Sequence, residues 1–310
     1  MLKMRDCCRV LADAFYVMIE RKFSTVEDIM KKVAVIQDLS SFGKCSLTAA
    51  IPVLSVMGVQ ACPLPTAILS AQTEYPSYFC DDLTANMPSF IQEWDKLNEH
   101  FDGIQTGFIT GKEQITHILN FLDLFHKNDT VLLVDPVMGD IGNAYNNFDE
   151  ELLERMKSLV KHANVITPNL TECCLLTGVS YNKLHRYSDE KDFLQAIQEA
   201  GVQLCQDTGA QVIITGINPP SRSSNESIGN MYIDGKQSVY SSVPFNNKSY
   251  SGTGDLFASV IMGCLMRGET IAQAIPLAET FLTAAIQDTY LANTPAVEGV
   301  NFEKFLRLLL

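Results

Sequence analysis

Five residues, Ser251-Gly252-Thr253-Gly254-Asp255, stand directly before the apolar run Leu256-Phe257-Ala258-Ser259-Val260-Ile261. Two glycines let a backbone turn sharply and approach a ligand closely. The apolar run predicts a buried helix, and the first amides of a helix have no partner within it. Those amides, with the positive end of the helix dipole, attract an anion. A carboxylate in such a place has a chemical use. Asp255 can take a proton from a hydroxyl while the amides of Gly252, Thr253, Gly254 and Asp255 hold the charge that develops on a transferred phosphoryl group. It also has a plain structural use, because Asp is a common helix cap. The motif alone supports both uses equally.

Three further segments place polar groups just after an apolar run. Asp135 follows Val131-Leu132-Leu133-Val134 and opens Asp135-Pro136-Val137-Met138-Gly139-Asp140; Asn169 and Glu172 follow the run ending at Thr167; Thr215-Gly216 follows Val212-Ile213-Ile214. Each has a local explanation: Asp-Pro starts turns, and Asn169 with Glu172 reads as a helix cap with a first-turn acid. Together on one rim, carboxylates beside glycine turns with no basic cradle suit a magnesium nucleotide, whose metal screens phosphate from carboxylate. Two lookalikes fail. Gly107-Phe108-Ile109-Thr110-Gly111-Lys112-Glu113 is one residue short of a P-loop and has Glu where the magnesium hydroxyl belongs, and Ser41-Phe42-Gly43-Lys44 lacks the first glycine. The five histidines show no ligand spacing, and none lies near a candidate Ser or Cys, so zinc chemistry and triad hydrolysis have no support.

The elements that must carry these residues alternate. Strands are expected at 33–36, 59–64, 104–108, 130–134, 164–167 and 212–215. Helices are expected at 46–57, 82–97, 112–126, 149–161, 170–176 and 189–206, with Pro52 kinking the first or marking its first turn. That alternation predicts a parallel sheet wrapped by helices on both faces. Ligands of such sheets bind at the carboxyl ends of the strands, where the four segments fall. Met231-Tyr232-Ile233, Asp234-Gly235 and 237–243 break the rhythm and read as a hairpin at one edge. Asn218 to Asn225 reads as a loop.

The 310 residues carry 36 acidic and 23 basic side chains, a formal charge of -13, which opposes a nucleic-acid surface. Nine scattered cysteines with no CxxC fit neither a disulfide framework nor a zinc site, and point to free thiols in a reducing cytoplasm. No apolar stretch reaches membrane-spanning length. We expect one domain over 31–310. Residues 1–30 read as an appended helix with Val10, Ala14, Val17 and Met18 on one face, or as sequence upstream of the natural start at Met30.

Seven motifs in order carry a resemblance: Val35-Ile36-Gln37-Asp38 with Gly43; Leu69-Ser70-Ala71-Gln72-Thr73; Thr106-Gly107-Phe108; Asp135 to Asp140; Ile166 to Glu172; Ile214-Thr215-Gly216; and Gly252 to Asp255. From Val33 to about Gly268 the chain resembles the ribokinase-like superfamily and, within it, the pyridoxal and pyridoxamine kinases. The resemblance implies a three-layer α/β/α sandwich with a mostly parallel central sheet and an antiparallel hairpin at one edge. It implies phosphorylation of the hydroxymethyl group of a B6 vitamer, with ATP as donor, Mg2+, a monovalent cation as a further candidate, and a homodimer. Asp255 would be the general base and the amides of Gly252, Thr253 and Gly254 the anion hole. Asn169, Thr215, Gly216 and Thr253 would place the nucleotide, and Asp135, Asp140 and Glu172 would hold magnesium, largely through waters. Asp38, Thr73 and Phe108 match positions lining the pyridine pocket, and Tyr145 matches a residue of the flap above it.

The chain departs from that pattern at two positions. Asp38 stands where Ser is usual and Phe108 where Tyr is common, and a carboxylate facing the ring favours an aminated or pyridinium substrate. A related kinase acting on hydroxymethylpyrimidine usually has Cys at the place of Asp255, which favours B6 over thiamin precursors. A vitamer-binding protein without turnover has no physical need to keep Asp255, Glu172 and Asp135 together.

Overall fold

The computed structural model describes residues 30–145, 148–220 and 227–310. The helix expected around Val10 to Ile19 and most of the loop expected over Asn218 to Asn225 lie outside them. Strands β1 (Lys32–Ser40), β2 (Gln60–Leu69), β3 (Cys80–Asp82), β4 (Gly103–Thr106), β5 (Val131–Val134), β8 (Val165–Ile166), β9 (Gln211–Ile217), β10 (Ser227–Ile233) and β11 (Ser238–Pro244) form one sheet. Its order is β11-β10-β9-β8-β5-β4-β1-β2-β3. All neighbours from β9 to β2 run parallel; β10, β11 and β3 are antiparallel additions at the two edges. The expected hairpin is therefore present at one edge. A separate short pair, β6 (Gly139–Asp140) and β7 (Asn143–Ala144), stands off the sheet.

Both faces of the sheet are buried, and the strands show it residue by residue. In β1, Ala34 and Ile36 join one apolar cluster while Val33 and Val35 join the other, as alternating side chains must. Helices α2 (Met87–Lys96), α3 (Lys112–Phe125), α4 (Glu150–Val160), α5 (Leu170–Thr177) and α7 (Glu190–Thr208) cover the first face. Helices α1 (Ser46–Val56), α8 (Thr253–Met266) and α9 (Ile271–Leu291) cover the second. A single turn, α6 (Tyr181–Leu184), follows α5. The chain is thus a three-layer α/β/α sandwich.

Three boundaries differ from expectation. The helix expected from Asp82 starts at Met87, because Asp82 ends edge strand β3, its carboxylate accepts the Thr84 amide at 2.8 Å, and Pro88 suits a first turn. Strand β2 runs on to Leu69 through Pro63 and Pro65, since β3 pairs only with Ala67 to Leu69 and leaves the proline stretch as a sheet edge. Pro52 lies in the interior of α1, not in its first turn, and the helix continues to Val56.

No helix among the described residues is long and apolar enough to cross a membrane. The described cysteines, Cys45, Cys62, Cys80, Cys173, Cys174, Cys205 and Cys264, are all free.

Candidate active site

Helix α8 starts where the sheet's carboxyl ends meet the second helical layer. Its cap, Gly252, has φ 78°, and a Cβ there would lie 2.2 Å from the Lys44 carbonyl oxygen and 3.0 Å from the Cys45 Cα. Both the left-handed backbone and the close approach therefore require glycine. The Leu256 amide closes the first helical bond, to the Gly252 carbonyl at 3.0 Å, so the amides of Thr253, Gly254 and Asp255 belong to the open end of the helix. Thr253 itself donates its hydroxyl to the Tyr250 carbonyl at 3.1 Å.

The Asp255 carboxyl sits in this turn with its pKa raised to about 8. Burial is the main cause, the charges of Asp135 and Asp38 add to it, and the Ser46 amide opposes it. A Cβ at Gly254 would lie 3.9 Å from Asp135 Oδ2, so the end of β5 reaches the start of α8. Asp135 is buried, its Oδ1 accepts the Thr167 hydroxyl at 3.0 Å, and burial lifts its pKa to about 7.

Asn169 and Glu172 form a reciprocal capping box at the start of α5. Asn169 Oδ1 accepts the Glu172 amide at 2.9 Å, and Glu172 Oε2 accepts the Asn169 amide at 2.8 Å. The other carboxylate oxygen, Oε1, accepts the Met138 amide at 3.1 Å, and Asn169 Nδ2 donates to the Gly139 carbonyl at 2.8 Å. Glu172 therefore ties the loop after β5 to the first turn of α5. Burial raises its pKa well above the usual range, with Asp135 and then Asp140 adding repulsion. Asp140, in the β6–β7 pair, is likewise raised by burial, against the pull of the Ile141 amide.

Tyr145 follows β7, its amide bonded to the Met138 carbonyl at 2.9 Å. Its hydroxyl is pushed up by burial and then by Glu172, Asp140, Glu74 and Asp135. Thr215 reaches the same rim: its amide donates to the Pro168 carbonyl at 2.9 Å, and it bridges Asn169 in parallel register. Gly216 next to it is exposed with φ 69°. Asp38, at the end of β1, is buried, and its Oδ2 accepts the Ser40 hydroxyl at 2.7 Å. Burial raises its pKa, against the pull of the Ser46 and Ser40 hydroxyls. Phe108 is half-buried after β4, and its carbonyl accepts the Thr66 hydroxyl at 3.2 Å; Thr73 is exposed in the loop after β2.

The structure thus brings Asp38, Asp255, Asp135, Glu172 and Asp140 into one electrostatic series, each shifted by a neighbour in it or by burial. Sequence reasoning missed Ser46, which has a left-handed φ of 48° and whose amide donates to the Asp255 carboxyl. No local pattern marks a serine for a left-handed backbone. Among the described residues no three His, Cys, Asp or Glu side chains stand close enough to ligate one metal ion directly.

The sequence profile of the phosphomethylpyrimidine kinase family matches residues 41–298, which include every residue of this rim except Asp38 and Ser40. The chain belongs to this kinase family. A protein of Bacteroides thetaiotaomicron, provisionally assigned as a phosphomethylpyrimidine kinase and solved with pyridoxal, is 38% identical, with a TM-score of 0.82 over 90% of this chain and 96% of that one. The pyridoxal kinase of Lactobacillus plantarum is 32% identical, with a TM-score of 0.77 over 90% and 96%. A hydroxymethylpyrimidine/phosphomethylpyrimidine kinase of Bacillus subtilis is 27% identical over 264 residues, 84% of each chain. The ribokinase-like fold and a kinase activity of this family therefore stand, and the similar proteins include both pyridoxal kinases and hydroxymethylpyrimidine/phosphomethylpyrimidine kinases.

Proposed function

We propose that this kinase transfers the γ-phosphoryl group of ATP to the 5′-hydroxymethyl group of a B6 vitamer, pyridoxal or pyridoxamine. The observation that carries the reading is Asp255: a carboxyl with a pKa near 8, in a glycine turn at an open helix start. That pKa suits a group that accepts a hydroxyl proton near neutral pH. The amides of Thr253, Gly254 and Asp255, left open at the helix start, would hold the oxygens of the moving phosphoryl group. Asn169, Thr215, Gly216 and Thr253 place the donor. The similar Bacteroides thetaiotaomicron protein was solved with pyridoxal and the Lactobacillus plantarum protein is a pyridoxal kinase, and an Asp at 255 departs from the Cys usual in hydroxymethylpyrimidine kinases. The Bacillus subtilis relative supports hydroxymethylpyrimidine as the second reading. ADP release with pyridoxal, and mass-spectrometric identification of the phosphorylated product, test the first.

Asp135, Asp140 and Glu172 fit Mg2+ in donor type: they are oxygen ligands held against mutual repulsion, and a hard cation relieves it. Their separation calls for bridging waters, which Mg2+ keeps. When bound, the ion would neutralise charge on the donor phosphates. A stability signature follows. The folded chain keeps protons on Asp135 up to about pH 7 and on Asp255 up to about pH 8, whereas the unfolded chain releases them near about pH 4. The stabilisation is full below the unfolded value and is lost as pH rises through the folded ones. The ligand-free melting temperature is expected to fall between about pH 6 and about pH 8, with added Mg2+ restoring more of it at the higher pH. A Mg2+ effect equal at both pH values contradicts this.

Asp38, Thr73, Phe108 and Tyr145 line the vitamer side in this reading. Asp38→Ser is expected to lower kcat/KM for pyridoxamine relative to pyridoxal by roughly tenfold, since it removes the charged partner of the amine. An unchanged ratio means that Asp38 does not read that substituent. Residues 31–310 form one compact unit, and we assign the kinase domain to them. A chain starting at Met30 is expected to keep its melting temperature and turnover; a large loss of either makes the first 29 residues part of the working fold.

A further inference from the structure

We propose that residues 296–303 are a positioning element of the active site, holding its two glycine loops in register. The proposal rests on the reading of Asp255 as base and of the α8 start as anion hole. The 43–46 loop is the first of the two: Gly43, Lys44 and Ser46 have φ of 119°, 49° and 48°. Two of these are not glycine, so the loop adopts a backbone it does not favour by itself. It must be held from outside. The second loop, 251–254, lies against it, since a Cβ at Gly252 would meet the Lys44 carbonyl oxygen at 2.2 Å.

The C-terminal segment grips both. The Ser251 amide donates to the Ala296 carbonyl at 3.1 Å, directly before the anion hole. Lys44 Nζ donates to Asn301 Oδ1 at 3.0 Å and pairs with Glu303 at 3.1 Å. Between these, Gly299 has φ 78°, and a Cβ on it would lie 2.3 Å from the Gly43 carbonyl oxygen. The segment is therefore seated on the loop at backbone distance. The loop in turn aims the Ser46 amide at the Asp255 carboxylate. Displacement at Gly299 should reach the base through Gly43 to Ser46. Apart from Thr253 and the anion-hole amides, the groups assigned to substrate and nucleotide lie on other loops, so turnover is the quantity this segment chiefly sets.

Gly299→Ala, Lys44→Met and Lys44→Arg test this in the full chain, with Asp255→Asn beside them, using MgATP and pyridoxal. Turnover is normalised to the nucleotide-binding sites counted in each sample, and melting temperatures are recorded on the same samples. Gly299→Ala should lower kcat by roughly ten- to a hundredfold, the cost of a misplacement on the order of 1 Å, with KM for ATP within about twofold. Lys44→Met should lower kcat several-fold and Lys44→Arg should recover it; this pair decides the matter if Gly299→Ala does not fold. Unchanged kcat per binding site in Gly299→Ala and Lys44→Met, whatever their melting temperatures, overturns the proposal and leaves the segment a purely structural one. If Asp255→Asn retains turnover, the reading of the base fails and takes the proposal with it. An inactive Asp255→Asn with normal Gly299→Ala and Lys44→Met removes this proposal alone.

Discussion

Asp255→Asn is expected to cut turnover by roughly 10²- to 10⁴-fold, the range for loss of a general base, and to leave the melting temperature unchanged or higher. Asn has the same shape and still accepts from the Ser46 amide, so the turn above Gly252 keeps its form. What it loses is the proton acceptor. Below about pH 8 the folded chain already holds this carboxyl protonated, and above it Asn removes a buried charge that Asp135 and Asp38 repel, which is why stability should not fall. Nucleotide affinity should change little, because the amides of the helix start remain. In the unsubstituted protein Asp255 must be ionised to act, so kcat/KM should decline as pH falls through about 8. Near-normal turnover of purified Asp255→Asn, with the same acid limb, reassigns Asp255 to helix capping.

Glu172→Gln should lower stability and raise the Mg2+ concentration needed for half-maximal turnover. Glu172 accepts two amides, from Asn169 and Met138, one on each oxygen. A Gln side chain has one acceptor oxygen and must turn its NH2 towards the other amide. A buried donor left without an acceptor costs about 1–3 kcal/mol. Relief of repulsion with Asp135 offsets part of this, so a melting temperature lower by a few degrees is the net expectation. The shift in the Mg2+ titration is the more diagnostic result. A lower melting temperature with an unshifted titration makes Glu172 a strut between the post-β5 loop and α5 and removes it from the metal site.

The residue types at the strand ends were legible because a parallel sheet brings its carboxyl ends to one rim whatever the details of each strand. The three-layer architecture and the edge hairpin follow from alternation and turn residues in the same way. What Asn169 and Glu172 do was half legible. Their i, i+3 spacing announces a capping box, but the second bond of Glu172, to Met138, joins segments 34 positions apart. Short β3 was hidden because three residues carry no period, and β2 looked shorter than it is because prolines are tolerated on an edge. The contact of Lys44 with Asn301 spans 257 positions. Such a contact has no local pattern to betray it. Asp38 could be read as a carboxylate, though not as a buried one held by two serine hydroxyls.

The most direct measurement of the central claim is a comparison of kcat/KM for pyridoxal, pyridoxamine, pyridoxine and hydroxymethylpyrimidine, each with MgATP, by ADP release and product mass. Pyridoxal or pyridoxamine is expected to be phosphorylated at least about tenfold more efficiently than hydroxymethylpyrimidine, a preference equal to about 1.4 kcal/mol. Preferred phosphorylation of hydroxymethylpyrimidine, or ADP release with none of the vitamers, contradicts it.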